Sequence, residues 1–155
     1  MNTQLDTLKQ FTMVMMLFSI LASSIAYAAK PVYSGGRERA AIRGYDPVAY
    51  FTQGQPVIGL KEFTLQHKGA KWMFSSQANL EAFKSNPEKY EPQYGGYCAY
   101  AVANGSTASS KPEYFTVHQG KLYLNYSKSV YKKWGKDKDG YIDSANKEWT
   151  ELVNK

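Results

Sequence analysis

At 155 residues the chain has room for one small hydrophobic core, and no internal stretch is long or biased enough to separate two domains. Its formal charge of +6 comes from basic residues scattered among acids, dense only from Lys128 to Lys138, which argues against nucleic acid and leaves weak attraction to anionic surfaces. The single cysteine, Cys98, excludes an intramolecular disulfide.

The first segment reads as an export signal. Lys9 precedes an apolar run from Phe11 to Ile25 that closes on Ala26-Tyr27-Ala28, with small side chains where signal peptidase needs them. Thr12, Ser19, Ser23 and Ser24 interrupt the run, which falls short of the roughly 20 apolar residues of a membrane span. Residues 1–28 are therefore read as a cleaved signal peptide. No second run of spanning length follows, so the mature chain is expected to be free of transmembrane segments and to work in the periplasm or outside the cell. Residues 29–44 read as a flexible, basic lead-in to a domain over 45–155.

Asp46-Pro47 opens a turn into a short apolar strand or helix that Gly54 and Pro56 end. Phe63–His67, a Lys68-Gly69 turn and Lys71–Phe74 make a hairpin, on aromatic and β-branched residues flanking a glycine turn. Ser76 caps a helix through Ser85, with Leu80 and Phe83 on one face and Pro87 beyond its end. Tyr94 to Gly105 reads as helix, its alanines outweighing its alternating tyrosines, with Gly105 at a natural C′ position. Phe115–His118, a Gln119-Gly120 turn and Lys121–Leu124 form a second hairpin, and Ser127 caps a helix ended by Gly135. The second set resembles the first; two hairpins obeying one turn chemistry is the plainer reading, and a duplicated unit the other. Asp137–Asp143 fails as a calcium loop in either register and reads as a turn before a last helix from Asp143, whose Ala145, Trp149, Leu152 and Val153 share a stripe. The fold class expected is α+β: a small single domain of antiparallel β-hairpins packed with two or three helices.

Five separated segments carry a family resemblance. They are Gly44 to Phe51, Gly69 to Phe74, Phe83 to Tyr90, Gly95 to Ala101 and Gly120 to Asn125. On these the chain resembles the exported YHS-domain proteins, and its fold is expected to be YHS/TRASH-like. The resemblance implies metal binding through cysteines, which the family pattern places at positions corresponding here to Ala49, Ser75 and Asn79. Ser and Asn are poor ligands for soft metals and Ala is none, so that inherited site and its metal-sensor role are not expected in this chain. Some exported relatives similar to this chain carry selenocysteine in the Gly-Gly-Tyr-x-Ala-Tyr context, which implies a nucleophilic chalcogen at position 98.

Cys98 is accordingly the candidate catalytic residue. If its segment is a helix, the thiol lies in the first turn, where the dipole favours the thiolate that redox chemistry needs. With no second cysteine to resolve an oxidised sulfur, a cycle would draw on an external thiol. Cys98, His67 and His118 together would make a soft three-coordinate site for copper or zinc, although both histidines fall at hairpin turns. Tyr45, Asp46, Tyr50, Tyr97 and Tyr100 crowd the two glycine-rich signatures and are the candidate lining of a small-ligand cleft. Asn125 stands out only as part of an Asn-Tyr-Ser sequon. The leading expectation is a periplasmic YHS-like protein using Cys98 for thiol redox chemistry or soft-metal contact, its partners a small molecule, a metal ion or an external thiol. The alternative is a non-enzymatic ligand- or partner-binding module in which Cys98 is structural.

Overall fold

The computed structural model describes residues 28–154, so the expected leader lies outside the described residues but for Ala28. In chain order the elements are α1 (Ala49–Thr52), the hairpin β1 (Leu60–His67) and β2 (Ala70–Phe74), α2 (Gln77–Ser85), α3 (Pro87–Tyr90) and α4 (Ala99–Ala103). The hairpin β3 (Lys111–His118) and β4 (Lys121–Asn125), then α5 (Lys128–Trp134) and α6 (Lys138–Asn154), complete them. Single 3-10 turns at Ile42–Gly44 and Gln93–Gly96 lead into α1 and α4 respectively. The class is α+β as expected, with six helices in place of two or three because three of them are only four or five residues long. None of the helices among the described residues is long and apolar enough to cross a membrane.

The two hairpins are one design used twice. Each turns on a non-glycine residue followed by glycine, Lys68-Gly69 at φ 49 and 71 and Gln119-Gly120 at φ 50 and 72. Positive φ at both central residues is the type I′ geometry that matches the twist of antiparallel strands. A shift of 51 residues carries the whole register of β1–β2 onto β3–β4, from Leu60↔Phe74 onto Lys111↔Asn125 and from His67↔Ala70 onto His118↔Lys121, including the irregularity after the first pair. The same shift carries Ser76, which caps α2 by accepting from the Asn79 N–H, onto Ser127, which caps α5 by accepting from the Val130 N–H. Phe83 and Trp134, both fully buried, correspond as well. Likeness of turn chemistry alone would not reproduce caps and core positions, so the duplicated unit describes the molecule better than the plainer reading.

Each unit packs its own core. Trp72, Phe74, Leu80 and Phe83 gather with Val48 in the first, and Tyr94, Ala99, Val102, Tyr123 and Trp134 in the second, where α6 adds Ala145, Trp149 and Leu152. A third cluster of Ile42, Tyr50, Leu122 and Leu124 draws on both units and joins them.

Three local expectations are corrected. Residues 29–44 are built into the fold and do not form a loose lead-in: Ala40, Ala41 and Ile42 are fully buried, and the Ala41 N–H donates to the Lys71 carbonyl. The arginines around them masked that apolar run. Tyr94–Gly105 is not one helix, because positive φ at Tyr94, Gly95 and Gly96 turns the chain before α4 begins. The last helix starts at Lys138, with the Asp137 carboxylate accepting from the Gly140 N–H, so the supposed turn is its first turn.

Candidate functional site

Asp46 is the first point of convergence. Its N–H donates to the Val57 carbonyl at 2.8 Å, which points the side chain inward, and the residue is fully buried. Oδ1 accepts from the backbone N–H groups of Val48 (2.8 Å) and Ala49 (3.3 Å). Oδ2 accepts from the Ser75 N–H (2.8 Å), the Ser75 hydroxyl (2.6 Å) and the Asn79 amide (2.6 Å). Five donors on one carboxylate satisfy a group that would otherwise be expensive to bury. Ala49, Ser75 and Asn79, where the resemblance implied thiolates, here meet around the Asp46 carboxylate. A soft metal ion does not fit this set.

Cys98 holds the corresponding place in the second unit, one residue beyond the 51-residue shift, which lands on Tyr97. Its N–H donates to the Ala108 carbonyl at 3.0 Å, as Asp46 does to Val57. The backbone N–H groups of Ala101, Tyr126 and Tyr100, the counterparts of those of Ala49, Ser75 and Val48, lie near enough to favour the Cys98 anion, although the thiol accepts no capping hydrogen bond from α4. Equivalent backbone donors thus bind a carboxylate in one unit and only neighbour a thiol in the other. The polar partner has moved. Asn125, fully buried at the end of β4 where β2 has Phe74, lies with Oδ1 3.6 Å from Sγ and accepts from the Tyr100 N–H at 3.3 Å. The Asn125 Nδ2 has no partner; among the described residues the other such buried atom is Trp134 Nε1. An orphaned buried donor costs about 1–3 kcal/mol.

The thiol is guarded. Cys98 is 1% exposed, and burial pushes its pKa above the usual thiol range, with the three N–H groups offsetting only part of that rise. The residue precedes α4 with extended backbone angles and does not sit in the helix's first turn. The expected depression of its pKa is thus reversed: loss of water outweighs the cradle.

The remaining predicted site residues are dispersed. His67 pairs with Glu91 at 2.7 Å and His118 with Asp139 at 2.8 Å, at the tips of separate hairpins, while Cys98 pairs with Asn125. The three-ligand copper or zinc site is not assembled, and no group of three or more His, Cys, Asp or Glu among the described residues is placed to hold a metal ion. Tyr45 and Tyr50 belong to the joining cluster, with the Tyr50 hydroxyl donating to the Pro112 carbonyl. Tyr97 packs between Tyr33 and Trp149, and Tyr100 packs against Tyr141 under the Lys133 ammonium. A groove of about 480 Å³ runs between Lys68, Glu91, Tyr94 and Trp149, and none of Tyr45, Asp46, Tyr50, Tyr97 and Tyr100 lines it. Sequence reasoning overlooked Asn125; the signal was a polar residue at a strand end whose counterpart in the first hairpin is the buried Phe74.

The first unit also decides the likeness to known proteins. Residues 48–94 match the YHS domain. The YHS match begins at Val48, runs through α3 and stops at Tyr94, as the second unit begins, so Asp46, Cys98 and Asn125 all lie outside it. No curated protein and no solved structure matches the chain.

Proposed function

We propose that the chain is an exported YHS-type protein of the Gly-Gly-Tyr-Cys-Ala-Tyr subfamily, working in the periplasm or outside the cell, in which Cys98 is a slow, guarded redox thiol. The observation that carries this reading is the matched placement of Cys98 and Asp46: each donates its N–H to the corresponding carbonyl, and counterparts of the N–H groups that hold the Asp46 carboxylate lie near the Cys98 sulfur. Such a nest stabilises sulfur most when it is an anion, the form that reacts as a nucleophile. Burial keeps the thiol neutral at rest and limits access to small reagents, which fits a stoichiometric responder better than a fast catalyst. Without a second cysteine, reduction would fall to an external thiol. Metal contact is left out, since the available donors do not gather around the sulfur.

The test is alkylation of the purified mature protein by a small reagent across a pH series. Labelling without unfolding is expected, rising with pH to a midpoint above the ordinary thiol value of about 8.5, because only the anion reacts. A thiol that labels only at the rate of global unfolding would overturn the reading. That result would favour a ligand- or partner-binding module in which Cys98 is a packing group, a role consistent with its 1% exposure.

A further inference from the structure

We infer that Cys98 is a site of oxygenation by small hydroperoxides, and that the oxygen added to its sulfur takes the orphaned Asn125 Nδ2–H. The inference rests on the redox reading above and gives that thiol a substrate class. The observation that carries it is the Asn125 carboxamide: fully buried, 3.6 Å from the sulfur through Oδ1, with an Nδ2 that has nothing to donate to; the backbone N–H groups near the sulfur support it.

The first unit shows what the cradle accommodates. An aspartate places its oxygens one bond beyond Cγ, and a sulfenate places its oxygen one bond beyond Sγ, so an oxygenated Cys98 reproduces part of the outline of Asp46. In the first unit the carboxylate oxygens take the N–H groups of Val48, Ala49 and Ser75 and one side-chain amide, that of Asn79. In the second the counterpart N–H groups lie near the sulfur without bonding it as a cap, and the amide available is that of Asn125. With the neutral thiol, Asn125 Oδ1 takes the S–H and the Tyr100 N–H, and Nδ2 is left over. Half a turn of the carboxamide exchanges the two atoms, presents Nδ2–H to a sulfenate oxygen and leaves the Tyr100 N–H to the same anion.

The chemistry balances with the peroxide alone. The Cys98 thiolate attacks one peroxide oxygen, the S–O bond forms and the O–O bond breaks. The departing hydroxide, or alkoxide from an alkyl hydroperoxide, takes up the thiol proton; sulfur loses two electrons and the peroxide gains them. Hydrogen peroxide is little larger than water and suits a sulfur that is 1% exposed, whereas a protein thiol cannot reach it in the folded state. The same closure shields the sulfenate from protein thiols and leaves its reduction, through a mixed disulfide, to a small external thiol.

The mature protein is treated with hydrogen peroxide, and peptide masses are followed so that oxygen on Cys98 is separated from oxygen on Met73. One oxygen should accumulate on Cys98, be trapped by a sulfenic-acid reagent after rapid denaturation, and be absent from Cys98→Ser. In Asn125→Leu the one-oxygen species should pass to two oxygens faster by roughly tenfold or more, the worth of one hydrogen bond to a charged group. The wild-type result needs no variant to fold. Direct passage to two oxygens in the wild type, or equal lifetimes in a folded Asn125→Leu, would overturn the inference while leaving native-state alkylation untouched. Inertness to both peroxide and alkylating agent would overturn it together with the redox reading.

Discussion

Asp46 and Cys98 show how much one side chain can decide inside a common backbone. The carboxylate accepts five hydrogen bonds, and Ser75 and Asn79 owe their orientation to it. Asp46→Ala strands those donors in a buried site and is expected to cost about 3 kcal/mol or more. Urea unfolding measures the cost, and a loss no greater than that of an exposed substitution would show that the network contributes little. Neither role could be read from sequence. Asp46 looked like the opening residue of a turn, which it also is, and its partners Ser75 and Asn79 lie 29 and 33 residues away. Cys98 was identifiable as the one cysteine, but its acidity depends on burial and on neighbouring backbone N–H groups such as those of Ala101 and Tyr126, both products of tertiary packing.

At the scale of elements, what was legible is what local chemistry controls. The hairpin turns, Ser76 and Ser127 as caps, and the ends of α2 and α5 follow from residues within a few positions of one another. Replacing Ser76 or Ser127 by Ala should cost about 1 kcal/mol each, measured by thermal or urea unfolding. Because the caps sit in separate units with no shared partner, the double variant should lose the sum; a large departure would mean that the units are coupled through their helices. Elements set by distant contacts were not legible. The turn before α4 needs Gly95 at φ 59, where an added Cβ would run into the Pro31 carbonyl, and nothing near Gly95 in sequence announces that neighbour. The start of α6 was hidden by Gly140, which reads as a breaker until the packing of Tyr141 and Ile142 against the second core is seen.

For the molecule as a whole, the duplicated units are not independent. Ile42 and Tyr50 of the first are almost wholly buried, and they are covered by Leu122 and Leu124 of the second. A fragment over residues 29–91, although it holds most of the segment that matches the YHS domain, would expose that cluster to water. It is expected to lack the dispersed amide spectrum and cooperative unfolding of a chain over residues 29–155. A fragment that unfolds cooperatively with comparable stability would show that the joining cluster is dispensable. The α+β class was legible because it depends on hairpin and helix patterns, whereas the joining cluster draws residues from 42 to 124 and leaves no periodic trace.

The paired cradles have a practical consequence for anyone studying this thiol. Most reactive cysteines are judged against free cysteine or an unfolded peptide, references that differ in solvent, flexibility and charge all at once. This chain contains its own reference. Position 46 sets an oxygen anion among backbone donors whose counterparts lie beside the sulfur at position 98. Exchanging the residues, Asp46→Cys in one variant and Cys98→Asp in another, would separate what the scaffold does to an anion from what sulfur itself contributes.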